Sequence, residues 1–197
     1  MKLEFLETIR VQEGEIYHLP YHQQRYEAVL LLYGAKEFKE LREHIEVPKK
    51  GLHRCRVLYN IDEIVEVSYY PYTKRNVKHL KVLEANSLEY SCKYANREAL
   101  EQLFSKKGSA DDILIVKNGL ITDTTIANIA FFDGEEWLTP KKPLLRGTTR
   151  ERLLQENFLK TADITISDIK EFEKMALMNA MIDFDIIADK KPEDIIC

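Results

Sequence analysis

Residues 113–132 run ILIVKNGLITDTTIANIAFF, from Ile113 to Phe132, and their reading decides the fold. Residues 113–116 are a short, continuous apolar run with Asn118-Gly119 directly behind them. Asn-Gly between apolar segments is the strongest short-range hairpin signal, because both residues tolerate the positive φ that a type I′ turn needs. Residues 120–121 return as a strand into Asp123-Thr124-Thr125, and residues 128–132 form another that turns at Asp133-Gly134 towards Trp137-Leu138. Downstream, Gly147-Thr148-Thr149 introduces a helix over residues 150–158, with Thr149 as its expected cap. Residues 176–187 read as one largely buried strand.

Upstream, residues 3–11 alternate in part and meet Gly14, as a strand and turn do. Tyr26, Val29, Leu30 and Tyr33 fall at helical spacing within residues 21–33, and Gly34 stops that helix. A second helix is expected over residues 37–44, strands over 54–59, 63–70 and 80–83, and a polar-capped helix over 96–104. The polar, basic break at residues 71–76 divides a small N-terminal α+β domain, residues 1–75, from a larger C-terminal α+β domain, residues 76–197. The class is α+β with two subdomains.

Composition narrows the function. A chain of 197 residues buries enough surface to fold without disulfide or metal. The net charge of −4 leaves no electrostatic footprint for nucleic acid or an anionic membrane, so an anionic ligand needs a local site. Three scattered cysteines, Cys55, Cys92 and Cys197, fit neither a disulfide framework nor a zinc site. No metal is expected. The N-terminus carries acids inside its apolar run, unlike a signal peptide, and no apolar run approaches a bilayer's span. A cytoplasmic protein is expected.

Four segments carry candidate chemistry. Leu145-Arg146-Gly147-Thr148-Thr149-Arg150 places a glycine and two hydroxyls at a helix start, where free N–H groups and the helix dipole favour an anion such as phosphate. A plain capped helix has the same look. Asp123 and Asn128 sit at strand ends within apolar β sequence, suited to a functional loop or an Asx turn. Lys93, in Tyr90-Ser-Cys-Lys-Tyr-Ala-Asn-Arg97, has aromatic neighbours; a lysine among apolar groups becomes nucleophilic, whereas most lysines are solvated. Arg25, in His22-Gln-Gln-Arg25, offers a planar fork for phosphate or stands on a helix surface.

The order of these segments resembles the class IV pyridoxal phosphate (PLP) enzymes. Glu7-Thr-Ile-Arg-Val11, Gly14 and His22-x-x-Arg25 come first, then Tyr90-x-x-Lys93-Tyr-x-Asn-Arg97. Gly119-x-Ile-Thr-Asp123-x-Thr-x-x-Asn128-Ile and Leu145-x-Gly147-Thr-Thr149-Arg150 follow. The aminodeoxychorismate lyase branch is most similar, with likeness also to D-amino acid and branched-chain aminotransferases.

The resemblance implies the D-amino acid aminotransferase-like fold (fold type IV), shortened at both ends, with the cofactor between its subdomains. It implies a lyase or aminotransferase acting on an amino acid or aminodeoxychorismate-like substrate, and usually a homodimer. Lys93 would form the Schiff base with PLP and shuttle the α-proton. Asp123 would pair with the pyridine nitrogen. Arg25, Gly147, Thr148 and Thr149 would hold the phosphate, Asn128 would hold its loop, and Arg146 is a candidate for the substrate carboxylate. The chain has Asp123 where the family has Glu, and Thr124, Thr125 and Ile126 where small residues are common. The alternative is a non-catalytic PLP-binding or dimeric interaction protein that keeps the fold.

Overall fold

A computed structural model describes residues 2–187 and 191–196; Cys197 therefore lies outside the described residues. The chain divides into two compact units, Met1–Lys74 with Cys92–Asn96, and Arg75–Ser91 with Arg97–Cys197. The expected single cut after residue 75 thus misses one return, in which residues 92–96 join the first unit.

In the first unit, β1 (Phe5–Gln12), β2 (Glu15–Ile16), β3 (Leu52–Tyr59) and β4 (Ile64–Pro71) form an antiparallel sheet in the order β2-β1-β3-β4. Because side chains alternate across a strand, Phe5, Ile9 and Val11 share one face with Cys55, Val57 and Tyr59. Helix α1 (Leu19–Leu32) covers that face with Tyr26, Val29 and Leu30, spaced as one helical stripe. It ends in a Schellman motif: Ala35 N–H donates to Leu30 O and Gly34 N–H to Leu31 O, with Gly34 at φ +88°. The second helix, α2, covers only Leu41–His44, where the sequence suggested residues 37–44. Residues 92–96 dock on the start of β1: Leu6 N–H donates to Lys93 O at 2.8 Å and Ala95 N–H to Glu4 O at 2.9 Å. The Tyr94 ring meets that of Phe5, and the Tyr94 and Tyr33 hydroxyls are 3.2 Å apart.

The second unit holds an eight-stranded sheet. Its strands are β5 (Leu80–Glu84), β6 (Asp112–Lys117), β7 (Leu120–Thr124), β8 (Asn128–Phe132), β9 (Trp137–Pro140), β10 (Leu159–Ala162), β11 (Lys174–Asn179) and β12 (Asp183–Ile187). Six run in the order β10-β9-β8-β7-β6-β5, and β11 branches from β8 carrying β12. The unit also holds the α-helices α3 (Glu98–Phe104), α4 (Thr148–Gln155) and α5 (Pro192–Ile195). The β6–β7 hairpin turns on Asn118 at φ 53° and Gly119 at φ 78°, as the Asn-Gly pair predicts.

Three further expectations need correction. Residues 176–187 are a hairpin rather than one strand, since Asn179 Oδ1 accepts from the N–H groups of Met181 and Ile182 and turns the chain. Apolar residues on both sides of Asn179 conceal such a turn, because the two arms read together as one strand-like stretch. Helix α3 begins after Arg97 without a side-chain cap. Helix α4 starts earlier than expected: Gly147 is its N-cap, Thr149 is its second residue, and no side chain caps it.

Candidate functional site

In the first unit, Glu7 breaks the apolar pattern of β1. It points with Phe5, Ile9 and Val11 towards α1 and is fully buried. An isolated carboxylate there would be very costly, so it must be paired. Arg25 Nε donates to Glu7 Oε1 at 2.8 Å and Arg25 Nη2 to Oε2 at 2.6 Å, a bidentate fork. The buried His22 Nδ1 lies 2.6 Å from Oε2. Burial would push Glu7 up, but the Arg25 charge and the bonds from His22 and Arg25 overcome it and hold the carboxyl down at about 2. Burial lowers His22, helped by the charges of Arg25 and Lys93 and opposed by Glu7. A neutral imidazole facing an ionised carboxylate must carry its proton on Nδ1, so Nδ1–H donates to Glu7. The returning segment therefore brings half-buried Lys93 to this cluster, where its charge acts on His22.

The second unit assembles the acidic and hydroxyl segments. Asp123, near the end of β7, faces Asn128 at the start of β8 in register. The loop between them is tied down on several sides. Thr124 N–H donates to Ala127 O, Arg97 Nη2 to Thr125 O, and Asn179 Nδ2 to Ile126 O. Thr125 Oγ1 donates to buried Asp112. Asp123 is itself buried, and its two oxygens are separately engaged: Asn128 Nδ2 donates to Oδ1 at 2.7 Å, and Leu145 N–H to Oδ2 at 2.8 Å. Burial nevertheless pushes its carboxyl up to about 7, against those two donors and the Arg150 charge.

Asn128 also donates to Leu145 O at 2.8 Å, which fixes the approach to α4. Gly147 lies so close that an added Cβ would stand 2.0 Å from Asn128 Oδ1. Thr148 and Thr149 follow, both buried. Among the described residues neither hydroxyl has a hydrogen-bond partner, so both remain available at the positive end of the helix. Arg146 is exposed. Arg150 is buried and donates to Pro140 O and to Glu151, a structural tie that no reading of the motif assigned.

The first unit thus gathers Arg25 and Lys93, and the second gathers Asp123, Gly147, Thr148 and Thr149. Glu7 and His22 were missed as site residues. The available signal was a lone acid at a core-facing position of an alternating strand.

These residues suit PLP in chemical type. A buried carboxyl held near neutrality would be stabilised by a cationic ring nitrogen, and unpartnered hydroxyls at a helix start suit phosphate. Among the described residues no cluster of His, Cys, Asp or Glu is arranged to hold a metal, and no helix is long and apolar enough to cross a membrane.

Comparison with known proteins places this arrangement. An uncharacterized protein of Haemophilus influenzae is 36% identical over 181 residues, covering 89% of this chain and 96% of its own. The solved structure described as a "putative 4-amino-4-deoxychorismate lyase" from Haemophilus somnus superposes with a TM-score of 0.84 at 33% identity, covering 92% of this chain and 97% of that one. The PLP-bound form of a hypothetical aminotransferase from Mycobacterium tuberculosis shares the fold at a TM-score of 0.78 and 16% identity, covering 95% and 82%. The family model for amino-transferase class IV matches residues 4–187, so the chain belongs to the class IV aminotransferase family of fold type IV, whose enzymes are PLP-dependent.

Proposed function

We propose that this protein is a PLP-dependent lyase or aminotransferase acting on an amino acid or aminodeoxychorismate-like substrate, with Lys93 as the residue that holds the cofactor. The observation that carries this reading is Asp123, a buried carboxyl gripped by Asn128 and Leu145 and kept near neutrality. PLP, when bound, supplies an electron-accepting ring that stabilises negative charge at the substrate α-carbon. Lys93 provides the amine that binds the cofactor and then moves the α-proton. Asp123 keeps a proton on the ring nitrogen. Arg25 and the Gly147-Thr148-Thr149 helix start bind the phosphate, and exposed Arg146 meets a substrate carboxylate. His22, neutral beside Lys93, adds no charge that would hinder loss of the lysine's proton. We further propose a homodimer working in the cytoplasm.

One observation favours the non-catalytic alternative: two nitrogens of the Arg25 fork are already committed to Glu7. Both readings meet one experiment. Protein purified with PLP is expected to show a visible absorbance band, and borohydride to fix the cofactor on Lys93, located by peptide mass spectrometry. An adduct on another lysine removes the proposal. A Lys93 adduct in a protein that cannot exchange the α-proton of any amino acid with solvent deuterium establishes the non-catalytic form.

A further inference from the structure

Arginine carries its N–H donors on a rigid planar fork, but the long stem lets that fork turn unless something holds it. In the first unit Glu7 does the holding. It stands within β1 opposite Val57 of β3, so the β1–β3 ladder fixes its backbone. Its carboxylate meets Arg25 side-on, Oε1 accepting from Nε at 2.8 Å and Oε2 from Nη2 at 2.6 Å. Two parallel bonds set the plane of a guanidinium as well as its place. Oε2 also accepts from His22 Nδ1 at 2.6 Å, a third bond that fixes the carboxylate itself.

The side-on pair uses the Nε edge of Arg25. A second anion can therefore meet the guanidinium from the Nη1 side while the first pair stays intact. Burial agrees with that direction: the Glu7 side chain is fully buried and that of His22 is 1% exposed, whereas Arg25 keeps 14%. Of the three, Arg25 is the one an incoming group can reach. The ion pair carries no net charge, since Glu7 is ionised, held down at about 2, and His22 is neutral. Arg25 thus offers an anion oriented donors more than an unbalanced positive charge. Orientation fixed before binding spares the cost of ordering a long side chain.

We propose that Glu7 is a positioning residue that presents Arg25 to the cofactor phosphate, with His22 holding the Glu7 carboxylate in the required plane. This role rests on the proposed binding of the phosphate by Arg25, and under it the fork committed to Glu7 serves binding instead of blocking it. Charge and position predict opposite signs for one substitution. On charge alone, Glu7→Gln removes an anion near the phosphate and tightens PLP. A positioning role makes the same change weaken PLP.

The test titrates the purified full chain with PLP and with pyridoxal, followed by fluorescence. The ratio of the two affinities isolates the phosphate and divides out a general loss of structure. Glu7→Gln and His22→Leu are each expected to lower the preference for PLP by about tenfold or more. His22→Asn, whose amide can donate where Nδ1–H does, should keep most of it. In wild-type protein, PLP should shift the Arg25 Nη NMR signals and leave the Nε signal in place, because Nε stays on Glu7. That readout decides the matter if Glu7→Gln does not fold. A wild-type protein with no preference for PLP, or with one that survives Arg25→Ala, overturns the phosphate site and this role with it. A preference lost in Arg25→Ala but kept or raised in Glu7→Gln overturns the positioning role alone, as does an Nε signal displaced by PLP. Loss of the preference in His22→Asn, or its survival in His22→Leu, removes His22 from the role.

Discussion

Replacing Gly147 with alanine tests whether Asn128 is the pin of the second unit's site. The glycine backbone has φ −73° and ψ 144°, ordinary for any residue, so only space opposes the change. The new Cβ would lie 2.0 Å from Asn128 Oδ1 and 3.2 Å from its Cγ. Asn128 cannot simply swing aside, because its Nδ2 donates to Asp123 at 2.7 Å and to Leu145 O at 2.8 Å. Losing one neutral hydrogen bond costs about 0.5–1.5 kcal/mol and one to a charged group about 1.5–3. Overpacking adds about 1–3 kcal/mol, while the stiffer unfolded chain returns about 0.4–1. The net expectation is a destabilisation of about 3 kcal/mol or more, read as a lower urea midpoint with an unchanged slope. A double-mutant cycle locates the cause. On an Asn128→Ala background the clash is gone, so Gly147→Ala should then cost less than about 1 kcal/mol. A loss below about 1 kcal/mol in the wild-type background, or an equal loss in both, would refute the reasoning.

Glu7→Gln should destabilise the first unit by about 3–5 kcal/mol, since it leaves the Arg25 guanidinium without its buried counter-charge, and urea unfolding at neutral pH measures this. Because Glu7 titrates at about 2, below its ordinary 4.5, its stabilisation is complete above that ordinary value and fades as pH falls towards 2; the variant should lack this acid-side loss. Asp123 has the opposite sign. Its carboxyl, raised from 3.8 to about 7, favours the folded state below 3.8, and that advantage is lost as pH rises through 7. Without PLP, wild-type protein should therefore lose stability between pH 5 and 8 relative to Asp123→Asn; parallel profiles for the two would contradict the burial argument. For the phosphate, Arg25→Ala should weaken PLP by about 1.5–3 kcal/mol and Thr149→Ala by about 0.5–1.5, as followed by fluorescence titration. Pyridoxal, which lacks the phosphate, should bind the variants and the parent alike.

Much of this molecule is legible along the chain because it is local. The Asn118-Gly119 hairpin follows from two residues that accept positive φ, and the apolar stripe of α1 follows from helical spacing. The order of motifs around Lys93, Asp123 and Gly147-Thr148-Thr149 suffices for the family, since each is a short run whose residue types carry its meaning. What depends on distant segments meeting was not legible. The docking of residues 92–96 on β1 rests on backbone bonds from Leu6 and to Glu4, which are not written in side chains. The pairing of Glu7 with His22 and Arg25 joins a strand to a helix 15 and 18 residues away, so a lone acid in β1 shows that a partner is needed but not which. The need for glycine at position 147 arises because Asn128 occupies the space a methyl group would take, a constraint that exists only once β8 and the start of α4 are packed together. Short-range torsional preference is a property of residues, but burial and counter-charge are properties of the place that the folded chain makes for them.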